Sequence, residues 1–505
     1  MILLNKLIKN STMLILLFLF AINFLITFSL MNDGLFHHDS IALASATEKT
    51  YEKQELQLTA NGRPSLVIIN SIIYLPFYIK GMNADFSTRL SGILFHSLSI
   101  LALFLFVSTF LSNKIIGLFA SLLFSFNPLY ISPNTYGKEH GMAIFFLLIS
   151  FYILLLAIEK NKHEYLALSS FLFTFSIGIR ESNIVLTPFY FLLYLQPKIQ
   201  SKKIIFREGS LKISNLLFLF IPFLIVLFVW LKIFLYDLIL VNTLQPNTGS
   251  GGVFLNLFSP KFNMVIEDIL TTVPLLILFF FVCGILLFLY LSLHKRENLF
   301  KFLFLLAWTL LIFYFGNVSG YKARYLDLVF VPIFIFASYP LYYIYKKHKL
   351  IAVVILLYFI MSMFLFIYPI LKFRHDYSGP KEFALWLKQV IEPDAFLISI
   401  DDTPPIYYYA NISKQYNIPV QSIFDNDSIT LKKWIFDLKK FLNNSTNKIY
   451  IISSALHYAN NEILSPLLHS NFKLRQIGGK LTEHYNNADI RFNKYDQTLY
   501  GIENK

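Results

Sequence analysis

Repeated apolar runs of about twenty residues constrain this chain more than any other feature, because a run of that length spans the hydrocarbon core of a bilayer as a helix. The stretches 144–158 and 275–293 hold no charged residue at all. In lipid, backbone groups must bond within their own segment, which selects helices over open strands. A transmembrane barrel would show short alternating strands, and none is present. Composition agrees: 56% of residues are hydrophobic and 14% charged, where a soluble domain carries about a quarter charged. The expected fold is an all-α polytopic membrane protein with about 11 transmembrane helices and a small C-terminal extracytoplasmic α/β domain.

The spans fall near 12–31, 87–111, 115–132, 140–158, 164–179, 182–196, 213–236, 266–292, 300–316, 326–345 and 350–371. The first is read as an uncleaved helix, since no small-residue cleavage site follows it at once. Lys and Arg in short loops set the orientation. With the N-terminus in the cytoplasm, the inner segments hold sixteen: Lys6, Lys9, Lys114, Lys160, Lys162, Lys198, Lys202, Lys203, Arg207, Lys212, Lys295, Arg296, Lys301, Lys346, Lys347 and Lys349. The short outer loops hold five: Lys138, Arg180, Lys261, Lys322 and Arg324. This excess accounts for the net charge of +13 and puts the N-terminus inside and the tail outside. The outer side is then periplasm or cell exterior, or endoplasmic reticulum lumen, and the plasma (inner) membrane is the expected location. No folded basic face suggests a nucleic-acid partner. The single cysteine, Cys283, lies in an apolar run and is read as a packed hydrophobe.

Two domains are expected: 1–371, membrane-embedded with an outer loop at 32–86, and 372–505, soluble and extracytoplasmic. In the tail, 381–391 and 428–442 show helical spacing, while 395–400 and 448–453 are short apolar runs that read as strands. Helices alternating with buried strands suggest an α/β layer. Asp401-Asp402 follows one predicted strand and reads as a solvated turn before Pro404-Pro405.

Charges at membrane depth must be paired or wet, so they mark candidate chemistry. On this topology they gather at the outer face: Asp39 in His37-His38-Asp39, then Lys138-Glu139-His140, Arg180-Glu181, and Lys322-Ala323-Arg324-Tyr325. Such a set suits an anionic lipid substrate. The order of these elements resembles the membrane-embedded C-type glycosyltransferases, the superfamily of protein O-mannosyltransferases and the lipid A aminoarabinose transferase. Asp39 matches the acid after the first helix, followed by Gly62-Arg63-Pro64 and by Gly81, Ala84 and Arg89-Leu90. Glu139 matches the second acidic motif, Arg180 the arginine between paired short helices, and Arg324-Tyr325 with Pro332 the late element. The sequence departs from the usual Asp-Glu of the first motif, having Asp39-Ser40 preceded by two histidines.

The resemblance implies transfer of a sugar from a polyprenyl-phosphate donor to a glycan, lipid or protein acceptor. In that chemistry a carboxylate deprotonates the attacking hydroxyl, and arginines neutralise the leaving phosphate. Asp39 is the expected base. Glu139 is expected to orient the acceptor or a divalent metal (Mg or Mn). Arg324, Lys322, Arg180 and Arg63 are the expected phosphate ligands, with His38, Lys138, His140 and Tyr325 in support. Each has a bland alternative. Asp39 and Glu139 are the right type to cap helices, Arg180 and Glu181 to pair with each other, and Lys322 and Arg324 to anchor at headgroups. Arg63 reads equally as a solvated loop residue. A metal site on His37, His38 and Asp39 is weighed against surface histidines, since adjacent histidines do not readily point one way. The rival functions are another lipid-linked glycan enzyme (ligase or polymerase), a non-catalytic subunit, and a transporter. A transporter would put its charges near the midplane in two related halves.

Overall fold

Each apolar run folds as a helix, as a segment that leaves water must. The computed structural model describes residues 2–35, 37–58, 63–200, 203–207, 209–240, 266–267, 269–294, 299–318, 327–399, 403–412, 414–416, 418–419, 427–444, 447–456, 464–485 and 492–505. They divide into two compact units. Among the described residues the first holds 2–31 and 46–373, and the second holds 32–45, 374–485 and 492–505.

The helices of the first unit are α1 (Ile2–Ser29), α2 (His38–Glu52, which begins in the second unit's segment), α3 (Pro64–Ile79), α4 (Ala84–Phe110), α5 (Lys114–Ser125) and α6 (Pro128–Asn134). There follow α7 (His140–Lys160), α8 (His163–Ile179), a 3-10 turn at Glu181–Leu186, α9 (Thr187–Leu195) and a small antiparallel hairpin, β1 (Lys198–Gln200) with β2 (Lys203–Ile205). The last are α10 (Ile213–Leu240), α11 (Leu275–His294), α12 (Leu299–Val318), α13 (Asp327–Lys347) and α14 (Lys349–Asp376). Among the described residues, seven helices are long and apolar enough to cross a membrane, or eight with the pair α5 and α6 taken as one span. The expected third span is therefore not straight. It bends by 62° where Asn127 caps the Leu129 amide (3.2 Å) and Pro128 opens the next helix. The expected sixth span is broken too, into the 3-10 turn and the nine residues of α9. Among the described residues, the expected count of about eleven crossing helices is not reached by length and composition.

The expected outer loop 32–86 is mostly helical. In it, α3 is apolar but has only 16 residues, about 24 Å at 1.5 Å per residue and short of a ~30 Å core. Its Pro76 and its length hid it from a search for full spans. Asn70 on α3 ties three helices together, bonding Thr47 (2.9 Å) on α2 and Thr88 (3.1 Å) on α4.

At the centre of the unit α4 packs on α1, α5 and α7, α7 on α8, and α13 on α5, α11 and α12. Its heart is aromatic: Phe151 lies 5.7 Å from both Phe106 and Trp308. The buried Trp308 satisfies its indole N–H on the Leu328 carbonyl at 3.1 Å. Gly284 on α11 faces the Phe336 backbone of α13 so closely that a Cβ would overlap the carbonyl oxygen.

The second unit contains α15 (Gly379–Val390), β3 (Phe396–Ile398), α16 (Ser428–Asn444), β4 (Ile449–Ile452), α17 (Leu464–Asn471), β5 (Phe472–Tyr485) and β6 (Phe492–Asn504). The sheet runs β3-β4-β6-β5. β3 and β4 are parallel with α16 in the connection between them, and the remaining pairs are antiparallel. The core is Phe383, Leu387, Leu397, Ile398, Leu431, Ile435, Leu438 and Ile451 with their neighbours. Segment 32–45 is stitched into this unit. Asp33 donates its amide to the Arg374 carbonyl (3.0 Å) and accepts from Lys381 Nζ (2.8 Å), and the Leu35 amide bonds the Tyr409 hydroxyl (2.6 Å).

Candidate functional site

In the first unit the ends of four helices bring charge together. The placement begins with glycine. Gly137 adopts φ +84° and packs on the Thr88 carbonyl, and Gly92 of α4 leaves no room for a Cβ beside the Asn134 carbonyl. These contacts seat the 134–141 turn directly on α4, so that Glu139 and His140 emerge at the start of α7. Because α7 and α8 form a packed pair joined by a short connection, the end of α8, at Arg180-Glu181, returns to the same place.

Two adjacent dipeptides, Glu139-His140 and Arg180-Glu181, are cross-linked twice. On one side Arg63, just before α3, donates from Nη1 to Glu139 Oε1 at 2.9 Å and through Nε and Nη2 to both oxygens of Glu181 at 3.1 and 3.2 Å. On the other, Asp327 Oδ2, at the first residue of α13, lies 2.7 Å from His140 Nδ1 and 2.5 Å from Arg180 Nη1. A cation thus clamps the two acids, and an anion clamps the histidine and the arginine. The α13 N-terminus itself favours the negative charge of Asp327, whose other oxygen accepts the Leu328 amide at 2.9 Å.

The two clamps differ in exposure. His140 and Asp327 are 0% exposed and Arg180 is 2% exposed, whereas the Glu181 side chain is 51% exposed. Donation of Nδ1–H to Asp327 leaves His140 Nε2 as an acceptor, a tautomer inferred from the bonding pattern. That atom is buried with no hydrogen-bond partner among the described residues.

Arg63 and Glu139 are brought together. Arg180 and His140 are brought together, through Asp327. The alternative pairing of Arg180 with Glu181 is not what forms, since each bonds elsewhere. Glu139 occupies the cap position of α7 but makes no cap hydrogen bond, its carboxylate going to Arg63. Arg63 is 12% exposed and doubly paired, so it is not a solvated loop residue. Lys138 is buried in the turn before α7. Arg89 bonds Asp85 one turn earlier on α4 at 2.6 Å, a buried structural pair. Lys322, Arg324 and Tyr325 lie outside the described residues, as do Asp401 and Asp402.

Asp39 belongs to the second unit. It lies in the first turn of α2, where negative charge is favoured. Both neighbouring histidines turn toward it: His38 Nε2 is 2.9 Å and His37 Nδ1 3.5 Å from its carboxylate. The expectation that adjacent histidines diverge is corrected here, since the His37 and His38 rings lie 4.4 Å apart between centroids. The three ligand atoms lie within 4.8 Å of one another. Two nitrogens and one carboxylate oxygen fit a borderline divalent ion better than Mg, which prefers all-oxygen ligands.

Sequence reasoning missed Asp327 and left Glu181 out of the phosphate site. The available signal for Asp327 was a lone acid opening an otherwise uncharged apolar run.

Residues 67–230 match the family model described as dolichyl-phosphate-mannose-protein mannosyltransferase. A sequence search of curated proteins finds no match. Among solved structures, ArnT from Cupriavidus metallidurans in the apo state is similar with TM-score 0.55 and 12% identity, over 96% of this chain and 97% of that one. The Archaeoglobus fulgidus oligosaccharyltransferase in the apo form gives 0.53 and 14%, over 95% and 74%. The arabinofuranosyltransferase AftD from Mycobacteria gives 0.57 and 11%, over 97% and 40%. All are GT-C glycosyltransferases, and this chain carries the GT-C fold.

Proposed function

We propose that this chain, built on the GT-C fold, moves a sugar from a polyprenyl-phosphate donor to an acceptor hydroxyl on the outer face of the membrane. The observation that carries the reading is the double clamp, in which distant segments deliver Arg63, Glu139, Glu181, His140, Arg180 and Asp327 to one end of the helices. Structures similar to this one include ArnT bound to undecaprenyl phosphate and an archaeal oligosaccharyltransferase with an inhibitory peptide and a dolichol-phosphate. Their ligands support a lipid-phosphate donor here.

In the proposed step the acceptor oxygen attacks the anomeric carbon as the bond from that carbon to the phosphate oxygen breaks. The acceptor proton passes to the Asp39 carboxylate, and polyprenyl phosphate departs. One displacement inverts the anomeric centre. The leaving phosphate needs fixed cations more than a proton. Arg324 and Lys322 are its proposed ligands. Arg63 joins them only by exchanging a carboxylate for the phosphate, and Glu181, its most exposed partner, is the one to yield. Arg180 is assigned to holding Asp327 and His140, because it is buried and already paired. Glu139 orients the acceptor. Where a divalent ion takes part, His37, His38 and Asp39 would hold it, and it would polarise the phosphate or the acceptor.

The direct test compares lipid-linked sugars and surface glycans by mass spectrometry with and without the gene. Accumulation of a polyprenyl-phosphate monosaccharide and loss of one glycan sugar is expected. Unchanged profiles refute the reading. The likeness to the oligosaccharyltransferase favours a second reading, transfer of a preassembled glycan, which would appear as a lipid-linked chain of several sugars. Reporter fusions after Lys212 and after Lys372 should report opposite compartments, and the same compartment for both would remove the outer-face assignment.

A further inference from the structure

Helix α16 is amphipathic in an unusual sense. One side is core: Leu431, Trp434, Ile435 and Leu438 are buried. The other side is cationic and also carries two large apolar side chains in the open, Ile429 at 80% exposure and Phe436 at 67%. Seven residues separate them, two helical turns, so they share a face. Lys432, Lys433 and Lys440 are exposed beside them, and Asp437 is the one acid of the helix. Single exposed apolar residues need no explanation. A pair aligned along a lysine ridge is the pattern of a helix that lies in a lipid interface, with bulky residues entering the acyl boundary and lysines at the headgroups.

We propose that this face of α16 docks on an anionic phospholipid surface. The charge argues for that occupant over a second copy of the chain, because an isologous contact would set lysines against lysines. The helix also belongs to a chain in which seven other helices, among the described residues, are long and apolar enough to cross a bilayer. A lipid surface is then always present at high effective concentration, and weak docking suffices.

The test uses the full chain in lipid nanodiscs. Cys283→Ser removes the native thiol, and Ile429→Cys is labelled with an environment-sensitive fluorophore, which keeps Phe436 and the lysines in place. Brominated lipids should quench this label at least about threefold more than a label at Glu503→Cys when half the lipid is anionic, with the difference lost in zwitterionic discs and reduced by salt. Lys432→Glu, Lys433→Glu and Lys440→Glu together, or Phe436→Ser alone, should bring quenching to the control level without changing the heating midpoint. Quenching equal to the control in anionic discs overturns the proposal. So does equal quenching in both lipids, and so does label-to-label excimer emission in discs holding two copies, which would indicate self-association. None of these readouts depends on glycosyl transfer.

Discussion

Removing the Asp327 carboxylate is the most informative single perturbation of this fold. Asp327 is 0% exposed and holds Arg180, itself 2% exposed, together with His140. Asp327→Ala leaves the guanidinium in a dry site without its counter-charge, and breaking a buried pair in this way costs about 3–5 kcal/mol. Glu181→Ala removes a carboxylate that is 51% exposed, and a pair that wet is worth about 0–1 kcal/mol. Asp327→Asn should fall between them, because it keeps the shape and the bond to the Leu328 amide but loses the charge. Survival of the monodisperse peak after heating in detergent, read by size-exclusion chromatography, gives the ranking directly. The discriminating variant is Asp327→Leu combined with Arg180→Met, which removes both charges and should recover most of the loss, since apolar replacement of a whole buried pair is often neutral. Heat resistance of Asp327→Ala equal to that of Glu181→Ala would refute the clamp. So would a double variant as weak as the single one.

Other outcomes follow from the same geometry. Asp39→Asn should abolish transfer while the protein still inserts and binds the donor lipid; activity within about tenfold of wild type, ~1.4 kcal/mol of barrier, would reassign Asp39 to a structural role. Arg324→Lys should be impaired and Arg324→Ala worse, by about 2–5 kcal/mol for the loss of a desolvated charge pair, in donor affinity as well as turnover. Gly284→Ala should lower the heating midpoint by driving α11 off the Phe336 carbonyl, with Cys283→Ser as the neutral neighbour. In the second unit, hydrogen bonds from Lys448 and Tyr450, each 2.5 Å, hold the Glu392 carboxyl down at about 2. An unfolded Glu titrates near ~4.3, so this stabilisation is present above that pH and disappears as pH falls through about 2. Hydrogen exchange of β4 should therefore accelerate over that acid range, less so in high salt and not at all beyond baseline in Glu392→Gln.

The membrane helices were legible because continuous apolar runs carry their own signal, as at α4, α7, α11 and α13. What escaped was shorter or interrupted: α3, with its internal proline, and the bend at Asn127, where a cap and a proline break one run into two. In the tail, helical spacing marked 381–391 and 428–442, and the structure has helices at Gly379–Val390 and Ser428–Asn444. The sequence does not announce the long antiparallel pair of β5 and β6, since the alternation Phe472-Lys473-Leu474-Arg475 breaks off at Gln476-Ile477-Gly478-Gly479, where a bulge between Gln476 and Gly478 shifts the register. At the candidate site the residue types were visible as charges in apolar surroundings, but their partners were not. Arg180 and Asp327 are far apart in sequence, and only the packing of α8 against its neighbours reveals that an expected phosphate ligand is already occupied.

The stitching of segment 32–45 into the second unit sets an order of assembly. This segment leaves the ribosome early, yet Arg374, Lys381 and Tyr409, which fix Asp33 and Leu35, come only after residues 46–373 have been made. At ordinary synthesis rates that interval is on the order of tens of seconds. Asp39 therefore acquires its final surroundings late, after every preceding helix has been translated. A chain that stalls before residue 374 lacks the groups that hold this acid's segment, and a tail produced by itself lacks a strip of its own unit. Dissection of this protein into a membrane half and a soluble half would thus cut through a single folding unit, and the smallest faithful version of the second unit is one that carries residues 32–45 along with it.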